Sequence, residues 1–286
     1  MSAPLLDREE YIEQAYFFRV YRERIEENAP AQEVLAQLRE EVLATTKLPL
    51  AIDFLAGELH LRGRIGEAMA RLPHYFTPFQ SFVISRAEDD ESRFDVRLAL
   101  QILEREAEYL TKEPHAAGLF VYQFECVSRN RLGYDAGMSA VAADPLYDAG
   151  WRDWILKIRR QLGTVDFSDL IYMRSQFRIE EIRRRNNDPD YEPSFPILFG
   201  SQEGRIARAN KGKDPLYMFA ALQRQLGYPA IPRPAPPRTT PLFDPPVDMR
   251  FQRLEARLQL LEQEAKTGID ISKLYKQGEF GAGEMN

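Results

Sequence analysis

The chain has 286 residues, 44% of them apolar and 29% charged, and a formal net charge of −6. That composition is typical of a folded domain and unlike that of a disordered chain or a fibre. One cysteine, Cys126, excludes an intramolecular disulfide framework and any multi-cysteine zinc or iron–sulfur site.

The charge is uneven. Residues 1–150 carry 16 Lys and Arg against 26 Asp and Glu, residues 151–213 carry 13 against 9, and residues 214–286 carry 9 of each. The acidic majority opposes nucleic-acid binding, while the middle segment leaves room for a local basic patch. The N-terminus lacks a basic region followed by an apolar one, and no apolar run nears the ~20 residues that cross a bilayer. A cytoplasmic protein without a membrane span is expected.

Taken in chain order, the pattern predicts a mainly α fold: a multi-helix globular body over residues 1–228, with a subdivision near 130–144. Asp7–Glu27 has Asp7, Glu9 and Glu10 in its first turn, where carboxylates complement the helix dipole, and apolar residues on more than one face. A second helix is expected over 31–46, with Val34, Leu35, Leu38 and Val42 at helical spacing. A third starts at Pro49, and Gly57, Gly63 and Gly66 mark close helix packing or a break. Pro73 and Pro78 bracket a turn, and the acidic run Glu88–Glu91 reads as the start of a helix reaching Leu110. Gly118–Val127 fits a buried helix or a strand equally, and Gly133–Ala143 fits a loop or a closely packed turn.

Two stretches share wording. Asp144-Pro145-Leu146-Tyr147 opens one helix that Gly163 closes, and Asp214-Pro215-Leu216-Tyr217 opens another that Gly227 closes. Asp caps free amides, Pro suits the first helical position, and Gly suits the left-handed position after the last turn. Shared capping chemistry explains the likeness better than duplication does. Between them, Phe167–Arg185 reads as one helix, and Phe195–Phe199 is the best candidate for a small β element, which Pro196 confines to an edge or a strand start.

Few residues suggest chemistry. His60, His74 and His115 lack metal-ligand spacing, Cys126 sits among apolar neighbours, and no nucleophile elbow or dinucleotide fingerprint occurs. Neither a catalytic set, a metal site nor a cofactor is therefore assigned. The segment 200–213 reads as a basic, Gly-rich loop. There Gly204, Arg205, Arg208, Lys211 and Lys213 form a candidate site for a phosphate-bearing or other anionic small molecule, although the Walker A spacing is absent. A solvated loop is the simpler reading. The run Arg178–Arg185 could track phosphates, but Glu180 and Glu181 are placed to pair with Arg184 and Arg185 along the helix.

Eight of the eighteen residues from Pro229 to Pro246 are proline, so 229–247 reads as a linker. Beyond it, 248–275 reads as an amphipathic docking or oligomerisation helix with a small anchor, and 276–286 as a disordered tail. Phe251, Leu254, Leu258 and Leu261 occupy the heptad seam, flanked by Arg250 and Arg257 on one side and Glu255 and Glu262 on the other. The pattern suits a parallel pair of copies, a different protein or docking on the chain's own body. The leading expectation is a non-enzymatic protein–protein interaction or assembly protein; the alternative is an enzyme or binding protein that holds an anionic molecule at 200–213.

Overall fold

A computed structural model describes residues 4–89, 94–112, 114–161 and 165–233. Among them it has thirteen α-helices and, in place of a sheet, one isolated bridge. Contacts divide the chain after Pro234, so every described residue belongs to the first unit. The seam and flanking residues of 248–275, the tail 276–286 and most of the proline stretch lie outside the described residues.

The first helices are α1 (Arg8–Glu26), α2 (Ala31–Glu41), α3 (Leu48–Arg62), α4 (Gly66–Ala70), α5 (Pro78–Ala87) and α6 (Val96–Leu110). α1 lies along α6, α2 packs on α3, and α4 packs on α5. α1 buries Tyr11, Phe17, Phe18 and Tyr21, and α6 faces it with a strongly one-sided apolar stripe that includes Leu100, Leu103 and Leu110. α5 starts with a capping box. Thr77 Oγ1 accepts from the Gln80 amide, and Gln80 Oε1 accepts from the Thr77 amide, each at 3.2 Å.

Then come α7 (Ala116–Arg129), α8 (Tyr134–Ala142), α9 (Ala149–Gln161), α10 (Phe167–Met173), α11 (Gln176–Asn186), α12 (Ser201–Ala209) and α13 (Pro215–Leu226). α7 is the centre of the molecule: every residue from Gly118 to Val127 is buried. Its Phe120 and Phe124 meet an aromatic cluster drawn from α9, α10, α13 and Phe199, in which Phe124 and Phe167 stack at 4.2 Å. Each such ring contributes about 0.5–1.5 kcal/mol per pair beyond its area burial. Among the described residues, no helix is long and apolar enough to cross a membrane.

A polar network crosses this core. Gln123 Nε2 donates to Glu106 Oε1 at 2.7 Å and to Asp144 Oδ2 at 3.1 Å, and Gln123 Oε1 accepts from the Tyr147 hydroxyl at 2.9 Å. Gln80 Nε2 donates to Gln14 Oε1 at 2.9 Å, which joins α5 to α1. Burial, with Asp144 beside it, lifts the Glu106 carboxyl to about 8, and burial raises Asp144 as well.

Several expected boundaries move, those at Asp144 and Glu88 because the side chain finds a tertiary partner. Asp144 does not start a helix. It turns inward to the network and accepts from the Leu146 amide at 3.0 Å, while Asp148 caps α9 through the Trp151 amide at 3.0 Å. Its sequence twin behaves as expected: Asp214 accepts from the Leu216 amide at 2.9 Å, and Gly227 closes α13 in the left-handed region. Glu88 does not open α6 but reaches back to the amides of Ile65 and Gly66, at 2.6 and 2.8 Å, and Asp95 caps α6 instead. The segment 133–143 is the helix α8, and the second helix stops at Glu41 rather than at 46.

Phe167–Arg185 is two helices rather than one, broken at Ser175. Phe195–Phe199 reduces to a bridge between Phe199 and Ser175, where Gln176 N donates to Phe199 O at 2.9 Å. Phe199 is buried and Ile197 is 41% exposed, so the run is an anchored connection rather than a strand. The first residues of the proline stretch lie on the body. Pro232 is buried and its carbonyl accepts from Asn130 Nδ2, and the Tyr228 hydroxyl donates to Glu125 Oε1.

Candidate functional site

The segment 200–213 is not a loop: residues 201–209 form α12. Gly204 serves packing. A Cβ there would stand 2.2 Å from Ser175 Oγ and 2.8 Å from Phe177 Cβ. Only glycine lets α12 press so closely on the turn between α10 and α11. Ser175 holds that turn, donating to Tyr172 O at 2.8 Å while accepting from the Arg178 amide at 3.3 Å. One helical turn beyond Gly204, Arg208 comes alongside Tyr172.

These three helices enclose an open cleft of about 620 Å³. Arg178, Arg184 and Arg185 of α11 line it with Arg208 of α12, together with Tyr172, Met173, Glu181 and Ile182. Four guanidiniums thus face one carboxylate. Arg208 Nη1 donates to the Tyr172 hydroxyl at 2.8 Å, and that hydroxyl donates to Glu181 Oε2 at 2.5 Å. Arg208 and Arg178 both stand by the Tyr172 ring, 5.1 and 5.9 Å from its centroid. Burial, and then the Glu181 carboxylate, push the Tyr172 phenol up.

Glu180 and Glu181 do not pair with Arg184 and Arg185 along α11. Glu180 accepts from Ser201 Oγ at 3.1 Å, and Glu181 is taken by Tyr172 and by Arg208, the latter at 3.5 Å. Arg185 consequently has no hydrogen-bond or ion-pair partner among the described residues. Arg178 Nη1 is buried and without a hydrogen-bond partner. A buried, unpaired donor on a cation costs about 1–3 kcal/mol or more, and an anion entering the cleft would offset that cost.

Of the five residues expected to bind an anion, only Arg208 lines this cleft. Gly204 is buried in the helix contact, Arg205 stands over the Phe177 ring at 5.7 Å, and Lys211 pairs with Asp169 at 2.9 Å. Lys213 is exposed beyond α12. The cleft joins two features that look separate in the sequence, the arginine run of α11 and one residue of 200–213. Tyr172 carries no sequence signal at all. Cys126 is fully buried, and burial pushes its thiol well above the ordinary range. No protein-family model matches this chain, and neither a curated protein nor a solved structure is detectably similar to it.

Proposed function

We propose that this is a non-enzymatic interaction protein whose helical body takes an acidic group of a protein partner into the arginine cleft. The observation that carries the reading is the unpaired charge: α11 gives its own carboxylates to α10 and α12 and leaves guanidiniums facing the cleft. The remaining polar groups there, Tyr172 and Glu181, are bonded to each other, so no free base stands ready for proton transfer. Met173 and Ile182 give the cleft an apolar wall that suits a peptide better than a bare ion. The sequence signals fit a cytoplasmic setting, and self-association through 248–275 is compatible with this role.

Fluorescence anisotropy with a labelled hexaglutamate peptide tests it. Binding should weaken with salt, as an ion-paired contact does. Arg178→Gln together with Arg208→Gln should lower affinity at least tenfold, while Arg205→Gln with Lys213→Gln should leave it nearly unchanged. Equal losses in the two pairs would sink the assignment. Full displacement by micromolar pyrophosphate would favour a phosphate-bearing small molecule instead.

A further inference from the structure

The arginine cleft continues past its rim. Arg178, Glu181, Ile182 and Arg185 of α11 line it, and their spacing of three and four places them on one face of that helix. The adjoining face, with Glu180, Arg183, Arg184 and Asn187, lines a second hollow of about 570 Å³ that also includes Pro189. Arg184 belongs to both hollows, so they meet across α11. The chain that leaves α11 is tied down at the second one. Arg183 Nε donates to Tyr191 O at 3.0 Å, and the Asp188 amide donates to Arg183 O at 3.1 Å.

Charge and donor geometry narrow the choice of anion. Four guanidiniums face one carboxylate, Glu181, which already accepts from Tyr172 and pairs with Arg208. A carboxylate ligand adds a single negative charge and acceptor oxygens that lie in one plane. A phosphoryl group adds roughly 1.5–2 negative charges at neutral pH and three acceptor oxygens. Those oxygens point in tetrahedral directions, so one group can accept from guanidiniums on two helices. Such a pair is present: Arg178 of α11 and Arg208 of α12 stand by the same Tyr172 ring. Arg178 Nη1 is buried without a hydrogen-bond partner. Guanidinium forks match phosphate well and hold it with charge-assisted hydrogen bonds.

We infer that the acidic group entering the arginine cleft is a phosphorylated serine or threonine of a peptide. The residues beside it cross Arg184 into the second hollow. The assignment rests on the cleft taking an acidic partner group. The cleft is open, and Tyr172 already lies against both guanidiniums, which suits a phosphate on a short side chain. A nucleic-acid backbone also carries phosphates, but as monoanions along an extended track, and the net charge of −6 opposes it.

Fluorescence anisotropy on the full chain tests this with three labelled nonapeptides of alanine and glycine. They differ only at the central residue, which is phosphoserine, glutamate or serine. The phosphoserine peptide should bind at least tenfold more tightly than the glutamate peptide, and the serine peptide weakest. Arg178→Gln together with Arg208→Gln should erase the preference for phosphoserine. Free O-phosphoserine should compete at least tenfold less well than the unlabelled phosphopeptide. Equal affinity for the phosphoserine and glutamate peptides overturns the phosphate assignment and leaves the acidic-group reading in place. Failure of hexaglutamate and all three peptides to bind overturns both. Free O-phosphoserine as potent as the peptide removes the role given to the second hollow. An oligothymidylate that displaces the phosphopeptide at equal concentration favours nucleic acid and overturns the proposal. Should the double variant not fold, the ranking of the probes on the wild-type chain decides alone.

Discussion

Glu106→Gln should reverse part of the pH dependence of stability. Glu106 is wholly buried, and its carboxyl is raised from the ordinary 4.5 to about 8. The folded state therefore keeps a proton that the unfolded state releases. Stability from this group is fully present below about pH 4.5 and is lost as the pH climbs through about 8. At about 1.36 kcal/mol per pH unit, the loss above pH 8 amounts to roughly 5 kcal/mol. Gln keeps the shape and still accepts from Gln123, but it cannot ionise. The measurement is urea unfolding of both chains at half-unit steps from pH 5 to 9. The variant should gain several kcal/mol on the wild type across that range, mostly before pH 8, with other titrating groups cancelling in the difference. Parallel stability curves would mean that Glu106 does not hold its proton, and the buried network would need another description.

The two DPLY sequences give a matched pair. Asp214→Ala removes a surface cap and should cost about 1 kcal/mol, whereas Asp144→Ala breaks buried bonds to Leu146 and Gln123 and should cost about 2–4 kcal/mol in thermal or urea unfolding. Gly204→Ala should destabilise by about 1–3 kcal/mol and weaken hexaglutamate binding, because α12 must move off Ser175 and take Arg208 with it. Cys126 should resist a thiol reagent such as DTNB in the native protein and react fully in denaturant. Light scattering on the full chain and on one ending at Arg233, which keeps the seated Tyr228 and Pro232, should show a smaller assembly for the shorter chain. Equal monomeric masses would refute self-association through 248–275.

Local chemistry was legible where the partner is local. Asp214, Pro215 and Gly227 act within one helix, so their roles follow from their order in the chain. Asp144 and Glu88 have the same cap-like wording, but Asp144 gives one oxygen to the distant side-chain amide of Gln123 and Glu88 gives both of its oxygens to the amides of Ile65 and Gly66, which no window of sequence contains. α7 gave no period because it is covered all round, and a residue-by-residue apolar run looks the same in a helix and a strand. The arginine cleft was half visible. Arg178, Arg184, Arg185 and Arg208 were each conspicuous, but the spacing offered Glu180 and Glu181 as partners of Arg184 and Arg185. Only the close approach of α12, set by Gly204 against Ser175, shows those carboxylates engaged elsewhere.

The central claim is that the guanidiniums of the cleft, which outnumber its one carboxylate, receive an acidic partner group. The side-chain Nε–H NMR signals of the arginines report on it directly. Titration with hexaglutamate should shift those of Arg178 and Arg208 together and saturably, while Arg205, outside the cleft, stays in place. Shifts confined to Arg205, or none at Arg178, would contradict the account.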